Sequence, residues 1–163
     1  LHDNIASYMN EVNSLQKYKL FLIGIGFFWI FSWCIFGSIL GAEVKLLNST
    51  AVTPSEFMIW QRTLLRSAHA HMNSMGITTI LIGLSIPHIK NMISEKKIKM
   101  IILTNLVSIP IFGFGIILEA FFPDITGKIS LISAISAIGG IFYILTMAIW
   151  SSLFIFSAMK KNG

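Results

Sequence analysis

Charged side chains are scarce in this chain: they make up 12% of its 163 residues, about half of the roughly 25% found in soluble domains. With 55% of residues hydrophobic, there is too little polar surface to cover a water-soluble particle, so lipid has to cover part of it. Cysteine occurs once, as Cys34 inside an apolar run. That excludes a disulfide within this sequence and any site built from several thiolates, and Cys34 reads as a small hydrophobe. No phosphate-binding glycine loop, nucleophile triad or carboxylate pair is present. The net charge is +5, but the basic residues sit in loops and tails and form no face interleaved with aromatics, so nucleic acid is not an expected partner.

What is abundant is apolar sequence in long runs. A spanning helix needs about 20 mostly apolar residues, and four stretches qualify: 20–42, 57–87, 100–122 and 129–156. The expected fold is therefore all-α, an integral membrane four-helix bundle in one domain. The first run follows a polar leader with Asp3 and Glu11, is too long and too late for a signal-peptide core, and reads as an uncleaved span. Residues 1–17 are expected to form a short polar helix at the interface. Gly37 and Gly41 in the first span have the G-x-x-x-G spacing that lets helices approach closely. Pro110 sits in the third span, where a kink is expected, and Pro123-Asp124-Ile125-Thr126-Gly127 reads as a turn before the fourth. There is no internal repeat.

Basic residues give the expected orientation. Lys17 and Lys19 precede the first span, Lys90, Lys96, Lys97 and Lys99 lie between the second and third, and Lys160 and Lys161 end the chain. With four spans these fall on one side, which then holds eight of the twelve Lys and Arg residues. That side is expected to be cytoplasmic, with both termini inside, as in a bacterial inner membrane. Lys45, Lys128, Arg62 and Arg66 are left on the other side.

The second span carries the chemistry. Arg62, Arg66, His69, Asn73 and Gly76 step by four, three, four and three residues and so share one helix face. Ionisable residues in a membrane helix are costly and mark functional sites by default. His71 lies roughly 200° around the helix from His69, so a regular helix cannot aim both at one ion. Either imidazole can ligate a metal, and haem iron is commonly held by one His. In that reading Gly76 leaves a flat slot for the ring, and Arg62 and Arg66, one and two turns nearer the surface, bind the propionates through their forked donors. Hydrogen bonding of His69 and Asn73 to a neighbouring helix, with snorkelling arginines, is the competing reading. His2 and His88 read as solvated, and Met72 and Met75 as packing residues.

Other spans offer compatible faces. Asn105, Ser108, Phe112, Gly115 and Glu119 form a stripe on the third, with Glu119 about level with Arg62 and Arg66 and expected to pair with them. Ser133, Ser136, Gly140, Tyr143 and Met147 form one on the fourth. His69 and Tyr143 each lie roughly 20 Å along their helices from the same side and are expected to flank one cavity.

The run Ser67-Ala68-His69 with Gly76 seven residues beyond the His resembles the second-helix signature of the styrene oxide isomerase family of small four-helix membrane enzymes. The resemblance implies haem b on His69, a homo-oligomer such as a trimer, with haem near subunit interfaces, and an isomerase. Its iron opens a small apolar epoxide as a Lewis acid and yields a carbonyl product without net redox change. In that family an Asn follows the His by six residues. Here Met75 holds that position and Asn73 falls four residues after the His, while Tyr143 replaces a third-helix tyrosine. The implied catalytic pair is Asn73 and Tyr143. The Ala-His-Ala-His-x-Asn-x-x-Gly run also resembles histidine-bearing helices of haem–copper-oxidase-like proteins, implying an electron-transfer, gas-sensing or accessory haem protein instead. A colourless structural subunit that docks its polar stripe on a larger complex is a third reading. No C-x-x-C-H is present, which excludes c-type attachment.

Overall fold

The computed structural model describes residues 2–49, 55–122 and 130–160, with side chains for 14–43, 55–122 and 130–159. The expected turn at 123–127, Lys128, Lys161 and the side chains of His2, Lys45 and Lys160 fall outside them. Four helices account for the fold: α1 (His2–Ser49), α2 (Glu56–Ile89), α3 (Glu95–Phe121) and α4 (Leu131–Lys160). Each is long and apolar enough to cross a membrane, and the chain is a multi-pass, all-α membrane bundle.

Local chemistry sets the helix ends. Ser55 caps α2, its hydroxyl accepting from the Met58 N–H at 3.3 Å, and Glu56 occupies the first turn, where a negative charge suits the helix dipole. The α2–α3 connection is a tight turn in which the Met92 N–H donates to the Ile89 carbonyl. Residues 2–17 do not form a separate segment. They continue α1 without a break, giving a helix of 48 residues, about 72 Å long at 1.5 Å per residue. α3 continues through Pro110, which removes one N–H from the ladder but leaves the helix in one piece.

Chain neighbours pack in order: α1 on α2, α2 on α3, α3 on α4, with only a light contact between α2 and α4. α1 and α4 flank the row and are mostly unburied. Their exposed Phe21, Phe27, Phe31, Leu131 and Phe156 would be prohibitive in water and are ordinary against lipid. Two clusters form the interior. At the end holding the α2–α3 turn, Leu15, Leu22, Ile86, Ile89, Ile98 and Ile102 pack with Trp150, whose indole N–H donates to Ser85 at 2.7 Å. At the arginine end, Trp33, Ala68, Met72, Met75, Ile109 and Ile116 pack together.

Glycines set the helix spacing. Gly26 of α1 and Gly76 of α2 lie against each other's backbone: a Cβ on Gly26 would come within 2.8 Å of the Gly76 carbonyl, and one on Gly76 within 3.1 Å of the Gly26 carbonyl. Gly139 of α4 is as close to the α3 backbone, at 2.5 Å from the Phe112 nitrogen. In lipid, where apolar side chains gain little by leaving the solvent, such close backbone approach is a principal source of helix association.

Candidate functional site

α2 carries the site because it is the middle of the packing. Its buried positions Leu65, Ala68, Met72, Met75, Thr79 and Ile82 face the bundle, and the polar stripe lies beside them. His69 is half-buried and points at α1. Its Nδ1 lies 2.8 Å from the Trp33 carbonyl. A backbone carbonyl only accepts, so a neutral imidazole there carries its proton on Nδ1 and keeps the Nε2 lone pair. Opposite the ring is Gly37: a Cβ there would fall 2.3 Å from Cε1 and 2.8 Å from Nε2. One turn further along α1, Gly41 has open space around it.

Asn73 completes this corner. Its Nδ2 donates to the His69 carbonyl at 3.0 Å and sits 3.3 Å from each ring nitrogen, while its Oδ1 accepts a long contact from the Cys34 thiol at 3.9 Å. Cys34 thus sits beside the site, which sequence pattern did not suggest.

The remaining stripe residues divide. Arg66 is exposed. Arg62 is half-buried, and its Nη2 is shielded yet has no hydrogen-bond partner among the described residues. The expected ion pair with Glu119 does not form: Glu119 Oε1 accepts from Ser133 of α4 at 2.7 Å, and among the described residues the one salt bridge joins Lys99 to Glu95. Glu119 is thus engaged at the α3–α4 seam. Gly76 is buried under Ile30 and Gly26, so within one chain the space beside it is helix α1 rather than a slot for a ring.

His71 is exposed on another side of α2, as its offset from His69 requires. Its Nδ1 lies 2.8 Å from the Ser67 carbonyl and 3.3 Å from the Ser67 hydroxyl, and its ring is 5.5 Å from that of Phe112. Tyr143 approaches Thr78 on α2 and packs on the Met72 cluster. His69 and Tyr143 are therefore not brought to one cavity: the first faces α1, the second reaches α2 from α4.

A groove of about 370 Å³ opens sideways between α1 and α3, lined by Phe28, Trp29, Ser32, Trp33, Phe36, Phe114 and Ile117. Trp33 belongs to both features, its ring edge-on to Phe36 at 5.0 Å and its carbonyl holding His69. Nothing in the apolar periodicity of α1 marked Trp33 as the link, because a backbone acceptor leaves no trace in residue type.

Three features are of the kind an iron porphyrin needs: an imidazole anchored through Nδ1, a shielded guanidinium nitrogen without an acceptor among the described residues, and an aromatic groove that shares Trp33 with the anchor; the ring slot expected beside Gly76 is filled by α1. No set of three or more His, Cys, Asp or Glu side chains is grouped among the described residues, so a multidentate site for a bare ion is not the arrangement seen. Comparison with family models, curated proteins and solved structures gave no match to the chain.

Proposed function

We propose that the chain is a membrane haem b protein with His69 as axial ligand, and that it isomerises small apolar epoxides taken from the bilayer. The observation that carries the reading is the hydrogen bond from His69 Nδ1 to the Trp33 carbonyl. Metal-ligating histidines characteristically donate their second ring N–H to a carbonyl or carboxylate, which fixes the tautomer, orients the ring and makes the other nitrogen a better donor.

The chain's own residues take distinct parts. His69 offers Nε2, its ring held through Nδ1 by the Trp33 carbonyl; the Asn73 amide, 3.3 Å from Nε2, gives up that contact when a metal takes the lone pair and keeps its bond to the His69 carbonyl. Arg62, whose Nη2 has no acceptor among the described residues, and Arg66, one turn away, supply the charge that two propionates need. Trp29, Trp33, Phe36 and Phe114 admit an apolar substrate laterally and exclude water. Bound haem supplies a Lewis acid that polarises an epoxide oxygen without net electron transfer. Asn73 lies on the same side as the imidazole, its amide given to the His69 carbonyl, so its part is to orient the ligand.

Epoxide turnover tests the activity. Detergent-purified protein incubated anaerobically with small aryl and alkyl epoxides, without reductant, is expected to form the carbonyl isomer, and His69→Ala to form none. Haem-replete protein that leaves every epoxide intact would eliminate the isomerase.

One observation favours a second reading, a redox or sensing haem protein: His71 is anchored through Nδ1 in the same way as His69, to the Ser67 carbonyl. That reading requires reversible reduction and a spectrum that changes in His71→Ala. In the first reading the spectrum is indifferent to His71.

A further inference from the structure

Five polar residues are fully or almost fully buried in the described bundle: Thr79, Asn105, Ser108, Ser136 and Thr146. All four hydroxyls donate to backbone carbonyls. Thr79 gives its proton to Met75 at 2.8 Å, Ser108 to Asn105 at 2.8 Å, Ser136 to Phe112 at 3.3 Å and Thr146 to Phe142 at 2.9 Å. A hydroxyl has one proton, so none of the four has a second to give.

Asn105 is the exception. It is 0% exposed and its Nδ2 donates to Thr79 Oγ1 at 3.2 Å, joining α3 to α2. Its Oδ1 has no partner among the described residues. Exchanging the amide's oxygen and nitrogen does not help. Oδ1 would then face a Thr79 hydroxyl whose proton is already committed, and Nδ2 would take over the unpartnered position. Asn105 lies five residues into the apolar span of α3 that begins at Met100, about 8 Å inside a hydrocarbon core of roughly 30 Å. A bare amide oxygen at that depth is costly, and buried polar groups nearly always have a partner.

We propose that Asn105 Oδ1 binds a water molecule inside the bundle, at the α2–α3 seam. The missing group is a donor, and water brings two protons in the smallest volume. It gives one to Asn105 Oδ1 and has a second for the oxygen of the Ser108 hydroxyl, buried one turn along the same face of α3. The site does not depend on haem, and an amide oxygen needs only a neutral donor.

Water-edited solid-state NMR on the uniformly labelled chain, reconstituted in phospholipid bilayers, tests this directly. Polarisation from water is expected to reach Asn105 Cγ severalfold faster than it reaches Ile109, which is equally buried and purely apolar. Build-up at Asn105 no faster than at Ile109 would overturn the proposal. In Asn105→Leu the water transfer to Thr79 is expected to fall to the Ile109 level. Undiminished transfer there would place the water elsewhere and also overturn it. Should the variant not fold, the measurement on the unaltered chain decides alone.

Discussion

Replacing Gly26 or Gly76 with alanine strikes a close backbone approach in the α1–α2 seam. A Cβ on Gly26 would meet the Gly76 carbonyl at 2.8 Å and the Ile80 nitrogen at 3.1 Å, where ordinary contact begins at 3.4 Å. Those neighbours are backbone, so no rotamer change relieves them and the helices must part by about 0.6 Å. A void of that width forfeits a quarter to a half of each dispersion contact along the seam, and overpacking of this kind typically costs about 1–3 kcal/mol. The two substitutions press on the same contact, so the double variant should cost less than the two costs added. Gly24 and Gly41 provide the control, since a Cβ at either meets nothing within 4 Å. Alanine there gains helix propensity, up to about 1 kcal/mol in water-soluble hosts. The assay is unfolding in mixed micelles with increasing denaturing detergent, followed by tryptophan fluorescence from Trp29 and Trp33. The expected order places Gly24→Ala and Gly41→Ala at or above the unaltered chain and Gly26→Ala and Gly76→Ala well below it. Equal stability of all four would refute the close crossing.

Gly37→Ala separates packing from site chemistry, because its Cβ would strike the His69 ring rather than backbone. The ring must swing off the Trp33 carbonyl, so haem retention is expected to fall more than unfolding resistance does, measured on the same preparation. Trp150→Phe removes the hydrogen bond to Ser85 at the far end. It should lower stability by about 0.5–1.5 kcal/mol and leave haem content unchanged, which a melt and an absorption ratio together check.

The bundle was legible because length and hydropathy alone mark a spanning helix, and four such runs stand out in a chain this poor in charge. Helix ends were less so. The polar residues before Tyr18 gave no reason to expect α1 to run unbroken from His2, since helicity there is carried by continuation of an existing helix rather than by an apolar face. For the site, periodicity put His69 beside Asn73, which meet, and His71 on another side of α2, while Arg66 is exposed and apart from them. It could not say which neighbour each face would meet. That depends on contacts between residues far apart in sequence, such as Gly26 with Gly76 and Trp33 with His69. The same limit explains Glu119, level with the arginines by rise along the helix but turned toward Ser133, and Tyr143, at the right depth but arriving from α4.

Haem content per chain decides the central claim. Protein expressed with ample porphyrin supply, purified in mild detergent and assayed as the pyridine haemochrome, is expected to carry one haem b per chain, with His69→Ala largely stripped of it and His71→Ala unaffected. A colourless unaltered chain, or haem retained in full by His69→Ala, would contradict the account.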